Sequence, residues 1–502
     1  MKKKWMALAL TCGLGLGTLA GCGSKATTEV KTESKSDTQE IKQEESNSNT
    51  PEDSQESEEV VSLKWIQVGS GMPTNYDAWL EQVNPYLEEK IGVNVEMEIV
   101  GWGDWDSRRS VIETSGEMFD ILFTDSTRYF SEVNTGILMD LTDMVTSAAP
   151  ELYGMMPEKF WDAVSVEGRI YGVPTYKDSS STIYFIWDQD VADKYNINVN
   201  EVTDLESLYP ALKAIKEGEG TAPFRMASQG ADFLLSYYDG MGIGIPLLGV
   251  RFDDATRTVV DPLEDEGIME NLKLIRQMYM EGIINGNAST NDGDSTYRIF
   301  GTAQGWSGAA SSTWGPSWGI DNCVAVKYAD TVLSNATVQG SLNGISSGCE
   351  NPEKALQLLQ LVNTDSKVRD WFYYGVEGEN FEYQDGLVNK LNQDWTMAGY
   401  TQGTFFNVTG LVGSEAGAWD EVKELNENAK ESVLIGFSVD PKGLETEIAN
   451  CNAVYAKYKS ELWTGTADPE ELVPKIISEL KDAGWQKIAD EAQKQIDEAY
   501  GK

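Results

Sequence analysis

Histidine is absent from all 502 residues of the chain, and that absence excludes several kinds of site. Ser-His-Asp catalysis, Cys-His catalysis and histidine-ligated metal sites all need an imidazole. Basic residues are also few, since 39 Lys and Arg stand against 81 Asp and Glu for a formal net charge of -42. Because contacts to phosphate need clustered Lys and Arg, this acidity argues against a nucleic-acid partner. It is typical of a soluble, self-repelling surface that works outside cells.

Cysteine is scarce as well, with five in the chain. Cys323, Cys349 and Cys451 lie in the predicted folded part, and they could form one disulfide and a free thiol or remain three buried thiols. We prefer three buried thiols, because a chain of this length does not need a disulfide to be stable. Residues 291–295 (Asn-Asp-Gly-Asp-Ser) have some character of a calcium loop, but the spacing and the closing Glu of an EF-hand are missing. We therefore predict a turn there and no metal site.

The first residues have the pattern of a bacterial export signal. Three lysines precede a short apolar stretch over residues 5–20, and residues 19–22 (Leu-Ala-Gly-Cys) resemble a lipobox. We expect residues 1–21 to be a lipoprotein signal peptide and Cys22 to carry the lipid; a simple secretory signal is the alternative. Residues 22–59 are almost without apolar side chains, which predicts a disordered acidic tether. No later run of about 20 apolar residues follows that could span a membrane.

The first part of the folded body alternates strand and helix patterns. Strand patterns cover residues 60–68, 93–99 and 119–124, and helical spacing of apolar residues lies between them. This order predicts a parallel sheet covered by helices. Ligands of such sheets lie beyond the carboxyl ends of the strands, which here are residues 69–75, 101–106 and 124–129.

Residues 168–178 interrupt this pattern with a short strand that contains Pro174. A proline inside a strand indicates an edge or a crossing segment, because proline cannot donate a hydrogen bond to a neighbour. We interpret this stretch as the point where the chain crosses from one lobe to another; an ordinary hairpin is the alternative. Residues 301–319 are rich in Gly, Ser and Trp without a regular period, and we predict a loop there.

Aromatic residues in predicted loops are the main candidates for a binding site. They are Trp102, Trp105, Tyr129, Tyr176, Trp306, Trp314 and Tyr374. Aromatic faces that stack on a sugar ring, flanked by planar polar groups, are a recurring way to build a pocket. The polar candidates are Asp125, Lys177, Asp178 and Glu377. Each ring could instead fill a core, and each charge could belong to a solvated loop.

A hydrolytic enzyme is the competing interpretation, because two facing carboxylates can cleave a glycosidic bond. With 81 acidic residues almost any pair could be proposed, so this signal has no specificity.

Several stretches together resemble the extracellular solute-binding proteins of carbohydrate-type ABC importers. The resemblance rests on the lipobox and tether and on five ordered stretches: residues 168–177, 187–212, 340–347, 351–356 and 374–378. Residues 436–500 are similar to the extra C-terminal region of a Gram-positive lipoprotein subgroup. The order of these stretches carries the resemblance, and it covers residues 60 to the end. Residues 395–399 and 305–312 depart from the subgroup's pattern, and both could line the cleft.

The resemblance implies an α/β fold of the two-lobed, periplasmic-binding-protein-like kind (type II). Each lobe would be a mostly parallel sheet flanked by helices, with the ligand cleft between the lobes. The implied domains are an N-terminal lobe (60–175 and 343–372), a C-terminal lobe (176–342 and 373–442), and a helical region packed on the lobes (443–502). The crossings would lie at residues 168–177, at 338–345 and after the helix over 351–362.

The implied function is capture of a sugar or oligosaccharide and its delivery to the permease subunits of an ABC transporter. The protein would be a monomer anchored through Cys22 on the outer face of a Gram-positive cell membrane, with no cofactor, no metal and no catalytic residue. Its ligand-binding residues would be Trp102, Asp125, Tyr176, Lys177, Asp178, Trp306, Trp314, Tyr374 and Glu377. The alternatives are a surface-anchored glycan-processing enzyme, or a binding protein for peptides or other small polar solutes.

Overall fold

The structure is a computed structural model, and it describes residues 60–293, 297–414, 417 and 419–501. The predicted signal peptide, Cys22 and the tether therefore lie outside the described residues. So does part of the 291–295 turn. Across the described residues, no helix has the length and apolar content needed to cross a membrane.

The strands are β1 (Val61–Gly69), β2 (Val93–Gly101), β3 (Ile121–Thr124), β4 (Ser165–Val166), β5 (Arg169–Ile170), β6 (Gly172–Pro174), β7 (Ile183–Asp188), β8 (Tyr238–Asp239), β9 (Val250–Arg251), β10 (Phe300–Gln304), β11 (Cys323–Lys327), β12 (Val332–Leu333), β13 (Leu342–Ile345), β14 (Phe381–Gln384), β15 (Leu387–Lys390) and β16 (Lys430–Glu431).

The α-helices are α1 (Tyr76–Ile91), α2 (Trp105–Ser115), α3 (Tyr129–Asn134), α4 (Thr142–Ala148), α5 (Pro150–Met155), α6 (Glu158–Ala163), α7 (Gln189–Lys194), α8 (Leu205–Glu219), α9 (Glu266–Met280), α10 (Gly315–Trp318), α11 (Asn335–Val338), α12 (Pro352–Thr364), α13 (Ser366–Tyr374), α14 (Asp420–Glu427), α15 (Glu445–Trp463), α16 (Pro469–Ala483) and α17 (Trp485–Ala499).

The first sheet has five strands in the order β2-β1-β3-β13-β6. Strands β2, β1 and β3 are parallel, and β13 runs antiparallel to both of its neighbours. The last five residues of β1 are all buried, which is typical of a central strand covered on both faces. Pro174 lies at the end of β6, the edge strand, as its missing N–H predicts.

The second sheet corrects two expectations. Its order is β10-β7-β11, and β7 is antiparallel to both neighbours, so this lobe's sheet is not mostly parallel. The predicted loop over residues 301–319 is also wrong. It contains most of β10, a π-helical turn over Ala310–Trp314 and helix α10. Small residues and glycines hid these short elements, because they supply no apolar period.

Two hydrophobic cores correspond to the two sheets. The first contains the apolar faces of β1, β2, α1, α12 and α13. The second contains the apolar face of β7 and helices α8, α9, α15, α16 and α17. The C-terminal helices pack in the second core, rather than across both lobes as expected.

One domain boundary also differs from the expectation. Tyr374, Phe381, Val388 and Met397 all pack in the first core, although residues 373–442 were expected in the C-terminal lobe. The reason is the continuity of helix α13 with the hairpin β14-β15, which keeps this stretch beside β1. The chain reaches the second core again at Leu434.

Residues 203–206 (Thr-Asp-Leu-Glu) have the sequence pattern of a capping box that begins at Thr203. In the structure Asp204 is instead the N-cap of helix α8, and its carboxylate accepts the Ser207 N–H at 2.7 Å. The three cysteines are free, with Cys349 and Cys451 buried and Cys323 half-buried. Among the described residues, no group of three or more acidic or Cys side chains could hold a metal ion.

Asp261 makes stability depend on pH. It is 5% exposed, and burial raises its pKa from 3.8 to about 7. The folded state therefore holds a proton that the unfolded state releases, so stability falls as pH rises from about 4 to about 7. We expect Asp261→Asn to be more stable than the wild type by up to about 4 kcal/mol at pH 8, and equal to it near pH 4. Urea unfolding at a series of pH values measures this difference.

Asp265 supplies the matched control for this prediction. Burial raises the pKa of its carboxyl, but hydrogen bonds from Tyr238 and from two N–H groups of α9 outweigh that effect and hold the pKa below its usual range. Asp265→Asn is therefore expected to lose stability near pH 7, opposite in sign to Asp261→Asn. A pH-independent gain for Asp261→Asn would contradict the proposed titration.

Candidate functional site

The segment over residues 396–404 lies across the carboxyl ends of the first sheet. The Ser70 N–H, which follows β1, donates to the Thr396 carbonyl at 2.9 Å. Asn343 Nδ2 donates to the Thr401 carbonyl at 2.9 Å, and Ser341 Oγ donates to the Tyr400 carbonyl at 2.8 Å. Tyr400 is therefore fixed at the position where parallel sheets bind their ligands.

Gly69 permits this close approach. A Cβ atom there would lie 2.7 Å from the Ile99 side chain and 2.9 Å from the Thr396 carbonyl oxygen. Both distances are shorter than real carbon contacts, so only glycine lets the segment lie this close to β1.

Trp102 and Tyr400 form an aromatic platform at this end of the sheet. Their rings are stacked, with centroids 6.2 Å apart and planes 14° from parallel. Trp102 follows β2 directly, and 52% of its surface is exposed. Lys177 Nζ lies 5.7 Å from the Tyr400 ring centroid and 2.7 Å from Asp178 Oδ1. An open aromatic face with an ion pair beside it can stack a sugar ring and bond its hydroxyls.

Tyr400 keeps its proton at physiological pH. Burial, together with the charges of Asp125 and Asp178, raises the pKa of its phenol to about 12. Its hydroxyl is therefore available as a hydrogen-bond donor to a neutral ligand.

Asp125 is held in place from behind the platform. It follows β3, and its Oδ1 accepts the Thr127 N–H at 2.9 Å. Its Oδ2 lies 3.3 Å from Nη1 of Arg109, which is 1% exposed. The Arg109 guanidinium also donates to Glu132, 2.9 Å away and fully buried. This buried ion pair fixes the position of Asp125 at the end of β3.

A chain of ring contacts connects the first core to the second lobe; we call it the aromatic chain. It consists of Tyr373, Phe405, Trp419 and Trp306. Successive ring centroids are 5.9, 4.6 and 5.6 Å apart. Tyr373 belongs to α13 beside the first core, whereas Trp306 packs against the second sheet. A ligand at these rings would touch both lobes at once.

Glu421 fixes the turn that carries Trp306. Its carboxylate accepts the Ser307 N–H and the Ser307 hydroxyl, each at 2.8 Å, and the Gly308 N–H at 3.2 Å. The Tyr184 hydroxyl, on β7, donates to the same carboxylate at 3.4 Å. Three donors from one turn on one carboxylate hold the Trp306 ring in a defined orientation.

Asn426 connects the crossing segment to helix α14. It is 1% exposed, and its Oδ1 accepts the Ser180 N–H at 3.0 Å and the Ser180 hydroxyl at 2.9 Å. Its Nδ2 donates to the Lys177 carbonyl. Movements of the Lys177–Asp178 pair are thus coupled to α14, which also carries Glu421.

The structure brings five of the predicted site residues to this region. They are Trp102, Asp125, Lys177, Asp178 and Trp306.

Two further candidates support the site from below. Tyr176 is 5% exposed and packs between Phe160 and Phe406, while its carbonyl accepts the Phe405 N–H at 3.1 Å. Trp314 is 7% exposed, and it packs against Tyr184 beneath the Trp306 turn. Both rings are buried, so they pack beneath the site rather than at its surface.

Tyr374 and Glu377 are not brought to the platform. The Tyr374 ring is buried in the first core, and its hydroxyl donates to the Thr409 carbonyl at 2.7 Å. Glu377 is exposed beside α1, where its N–H donates to Gln82. Trp105 and Tyr129 are likewise buried, at the first residues of α2 and α3. We therefore leave these residues out of the proposed site.

Sequence reasoning missed Tyr373, Tyr400, Phe405, Trp419 and Glu421. The departure from the subgroup's pattern at residues 395–399 was the available signal for Tyr400, which follows it directly.

Comparison with protein families gives two matches. Residues 81–376 match the model described as a bacterial extracellular solute-binding protein. Residues 433–500 match a domain of unknown function, DUF3502, which corresponds to the C-terminal helices.

Two relatives from Streptococcus pneumoniae cover most of the chain. A carbohydrate ABC transporter substrate-binding protein is 29% identical over 461 residues, which are 87% of this chain and 90% of that protein. The crystal structure of an N-glycan transport solute-binding protein (NgtS) is 26% identical, covers 87% of this chain and 98% of that chain, and has a TM-score of 0.78. The same protein with Man1GlcNAc has a TM-score of 0.69, and with Man5GlcNAc 0.66.

Proposed function

The chain belongs to the bacterial extracellular solute-binding proteins, and from that membership we propose that it captures a carbohydrate for an ABC importer. Its fold is the two-lobed fold of type II periplasmic binding proteins. The relatives that cover most of its length bind solutes and are not enzymes, so it is a binding protein rather than a glycan hydrolase or lyase.

The observation that carries the carbohydrate proposal is the aromatic surface at the lobe junction. The stacked Trp102–Tyr400 platform, with Lys177 and Asp178 beside it, offers a ring face and paired polar groups. The aromatic chain adds the half-buried rings of Tyr373 from the first lobe and Trp306 from the second. Phe405 is 8% exposed and supports these rings from within the chain. Ring faces next to fixed donors and acceptors are what a hydroxyl-rich, apolar-faced ligand requires.

Capture works by closure of the two lobes. A ligand that touches both lobes favours the closed form by its extra contacts there. The platform lies on the first lobe and the Trp306 turn on the second, so a bound sugar between them would supply those contacts. The joined surface of the closed form would then be presented to the permease subunits.

The anchor and partners complete the proposal. Cys22 would carry the lipid and hold the protein on the outer face of a Gram-positive cell membrane, with residues 22–59 as its tether. The protein would act as a monomer with a membrane permease as its partner.

Isothermal titration with Man1GlcNAc and Man5GlcNAc tests the ligand class directly. These glycans are chosen because they occupy the related structures. We expect saturable heat with at least one of them. Heat with di- and tripeptides but with neither glycan would overturn the carbohydrate proposal.

Trp102 is expected to be a main contact of the platform. Trp102→Ala removes the exposed stacking face, so the dissociation constant of the glycan should rise about 10- to 30-fold. Tyr297→Ala is the matched control, because Tyr297 is 51% exposed and lies outside the proposed platform. Equal affinity losses in the two variants would show that Trp102 does not contact the ligand.

A further inference from the structure

A cavity of about 680 Å³ lies in the C-terminal lobe beside strand β10. Its lining includes Gln229, Asp232, Phe233, Thr302, Gln304 and Tyr455. None of these belongs to the platform or to the aromatic chain. Gln229, Asp232 and Gln304 are exposed, so the cavity is open to solvent.

One wall of the cavity is the open edge of β10. Strand β10 is at the edge of its sheet, beside β7. On the side that faces β7, the Gly305 N–H directly after β10 donates a hydrogen bond to the Thr182 carbonyl at 3.0 Å. Because main-chain groups of a strand alternate in direction, those of Thr302 and Gln304 point away from β7 and toward the cavity. On the edge of β10 that faces away from β7, Phe224 pairs with Phe300. Phe224 therefore covers only the first residue of that edge.

The opposite wall, over residues 225–236, is rigidly held. Asn285 accepts the Met226 N–H at 2.7 Å and donates to the Met226 carbonyl at 3.1 Å. The Ala231 N–H donates to the Trp463 carbonyl at 2.9 Å. At Gly230, where φ is +59°, a Cβ would lie 2.4 Å from the Trp463 main chain. This wall is therefore preformed rather than shaped by a ligand.

Helix α15 contributes to the third wall. Tyr455 lines the cavity from α15, and its hydroxyl accepts the Trp463 Nε1–H at 3.1 Å. Both residues belong to the region that matches the domain of unknown function. That region thus positions residues 225–236 and supplies an aromatic ring to the cavity.

We propose that this cavity is a second carbohydrate subsite, completed by the C-terminal region, which takes a glycosyl unit of a longer ligand. The inference rests on the proposed function. Amides, a carboxylate, a hydroxyl and outward main-chain groups can bond sugar hydroxyls, while Phe233 and Tyr455 offer ring faces. Gln304, which lines the cavity, lies two residues before Trp306 of the aromatic chain. Gln304 Nε2 also donates to the Ser180 carbonyl of the crossing segment at 3.4 Å.

Filling the cavity tests the subsite. Ala227 lines it and is half-buried, so Ala227→Trp places a large ring inside it. Titration of the full chain should show that the dissociation constant of Man5GlcNAc rises about tenfold or more, whereas that of Man1GlcNAc stays within about twofold of the wild-type value. Gln229→Ala, at an exposed position of the rim, should weaken the longer glycan in the same direction. Ala456→Trp, an exposed position on α15 outside the lining, is the control and should leave both affinities unchanged.

The outcomes separate the subsite from the proposed function. If the wild type binds both glycans, and the cavity variants lower the affinity for both equally or for neither, the subsite proposal is wrong and the proposal of sugar capture stands. If the wild type binds neither glycan, sugar capture fails and the subsite fails with it.

Discussion

Replacing Arg369 with methionine is expected to lower the free energy of unfolding by about 3–5 kcal/mol and to weaken glycan binding. Arg369 is fully buried on α13, and its guanidinium donates to three carbonyls of residues 399–404. The distances are 2.6 Å to Gly399, 3.1 Å to Gly403 and 2.6 Å to Thr404. Methionine has a similar length but no donor, so the buried carbonyls of Gly403 and Thr404 lose their partner at about 1–3 kcal/mol each, and the half-buried carbonyl of Gly399 loses its partner as well.

The loss of binding has a geometric cause. Tyr400 and Phe405 lie within or directly after the segment that Arg369 holds, and they belong to the platform and to the aromatic chain. Without the three bonds, the segment loses part of the network that holds it, so both rings are held less firmly. Burial lowers the pKa of Arg369 to about 10, so the group stays charged at neutral pH, and carbonyl dipoles stabilise that charge. Arg369→Lys keeps the charge but cannot reach three carbonyls. This variant should therefore lose less stability than Arg369→Met, and it should still bind the glycan more weakly than the wild type.

Arg276 provides the comparison for Arg369. Its Nη1 donates to the Gly465 and Thr466 carbonyls, each at 2.9 Å, and it is half-buried in the second lobe. Arg276→Met should cost about 1 kcal/mol and leave glycan affinity unchanged. Urea unfolding and isothermal titration measure the two effects. Arg369 variants that unfold like the wild type, or that bind like the Arg276 variant, would contradict this role.

The local pattern of the sequence was enough to predict the three parallel strands of the first sheet, β1, β2 and β3, but not β13, which pairs antiparallel between β3 and β6. Apolar residues alternate along β2, and in α1 they recur at helical spacing, as Trp79, Val83 and Leu87. Both patterns predict which side chains face the core, and all of these side chains are buried. Pro174 marked the edge strand for an equally local reason. The second sheet is antiparallel because β10 and β11 return to β7 from distant parts of the chain, and no local period encodes that pairing.

The site was harder to predict because it depends on helix phase and on long-range packing. Tyr373 and Tyr374 are adjacent on α13, and successive helical residues point about 100° apart. Tyr374 faces the first core, whereas its neighbour Tyr373 joins the aromatic chain, and the sequence alone does not distinguish the two. Trp306 meets Trp419 more than a hundred residues away along the chain. Only the folded contacts reveal that pair.

The buried ion pair of Arg109 and Glu132 is expected to have the other large effect. The two side chains are 1% and 0% exposed, with Nη2 and Oε1 2.9 Å apart. Removing one partner of such a pair leaves a buried charge and typically costs about 3–5 kcal/mol. We expect Glu132→Met to cost more than Arg109→Met. Burial already raises the pKa of Glu132, so its carboxyl can take up a proton when Arg109 is lost, whereas a guanidinium cannot release its proton.

A double-mutant cycle on this pair separates the charge effect from simple loss of packing. The double variant Arg109→Met/Glu132→Met leaves no buried charge, so it should cost less than the two single variants together, with a coupling of about 2–3 kcal/mol. The exposed pair Lys457–Glu479, with side chains 57% and 31% exposed, should show a far smaller coupling, because water screens it. The double variant also frees Asp125 from Arg109, so it should regain stability without regaining full glycan affinity. Additive costs at Arg109 and Glu132 would mean that the pair acts only by filling space, and unchanged affinity would remove Asp125 from the proposed site.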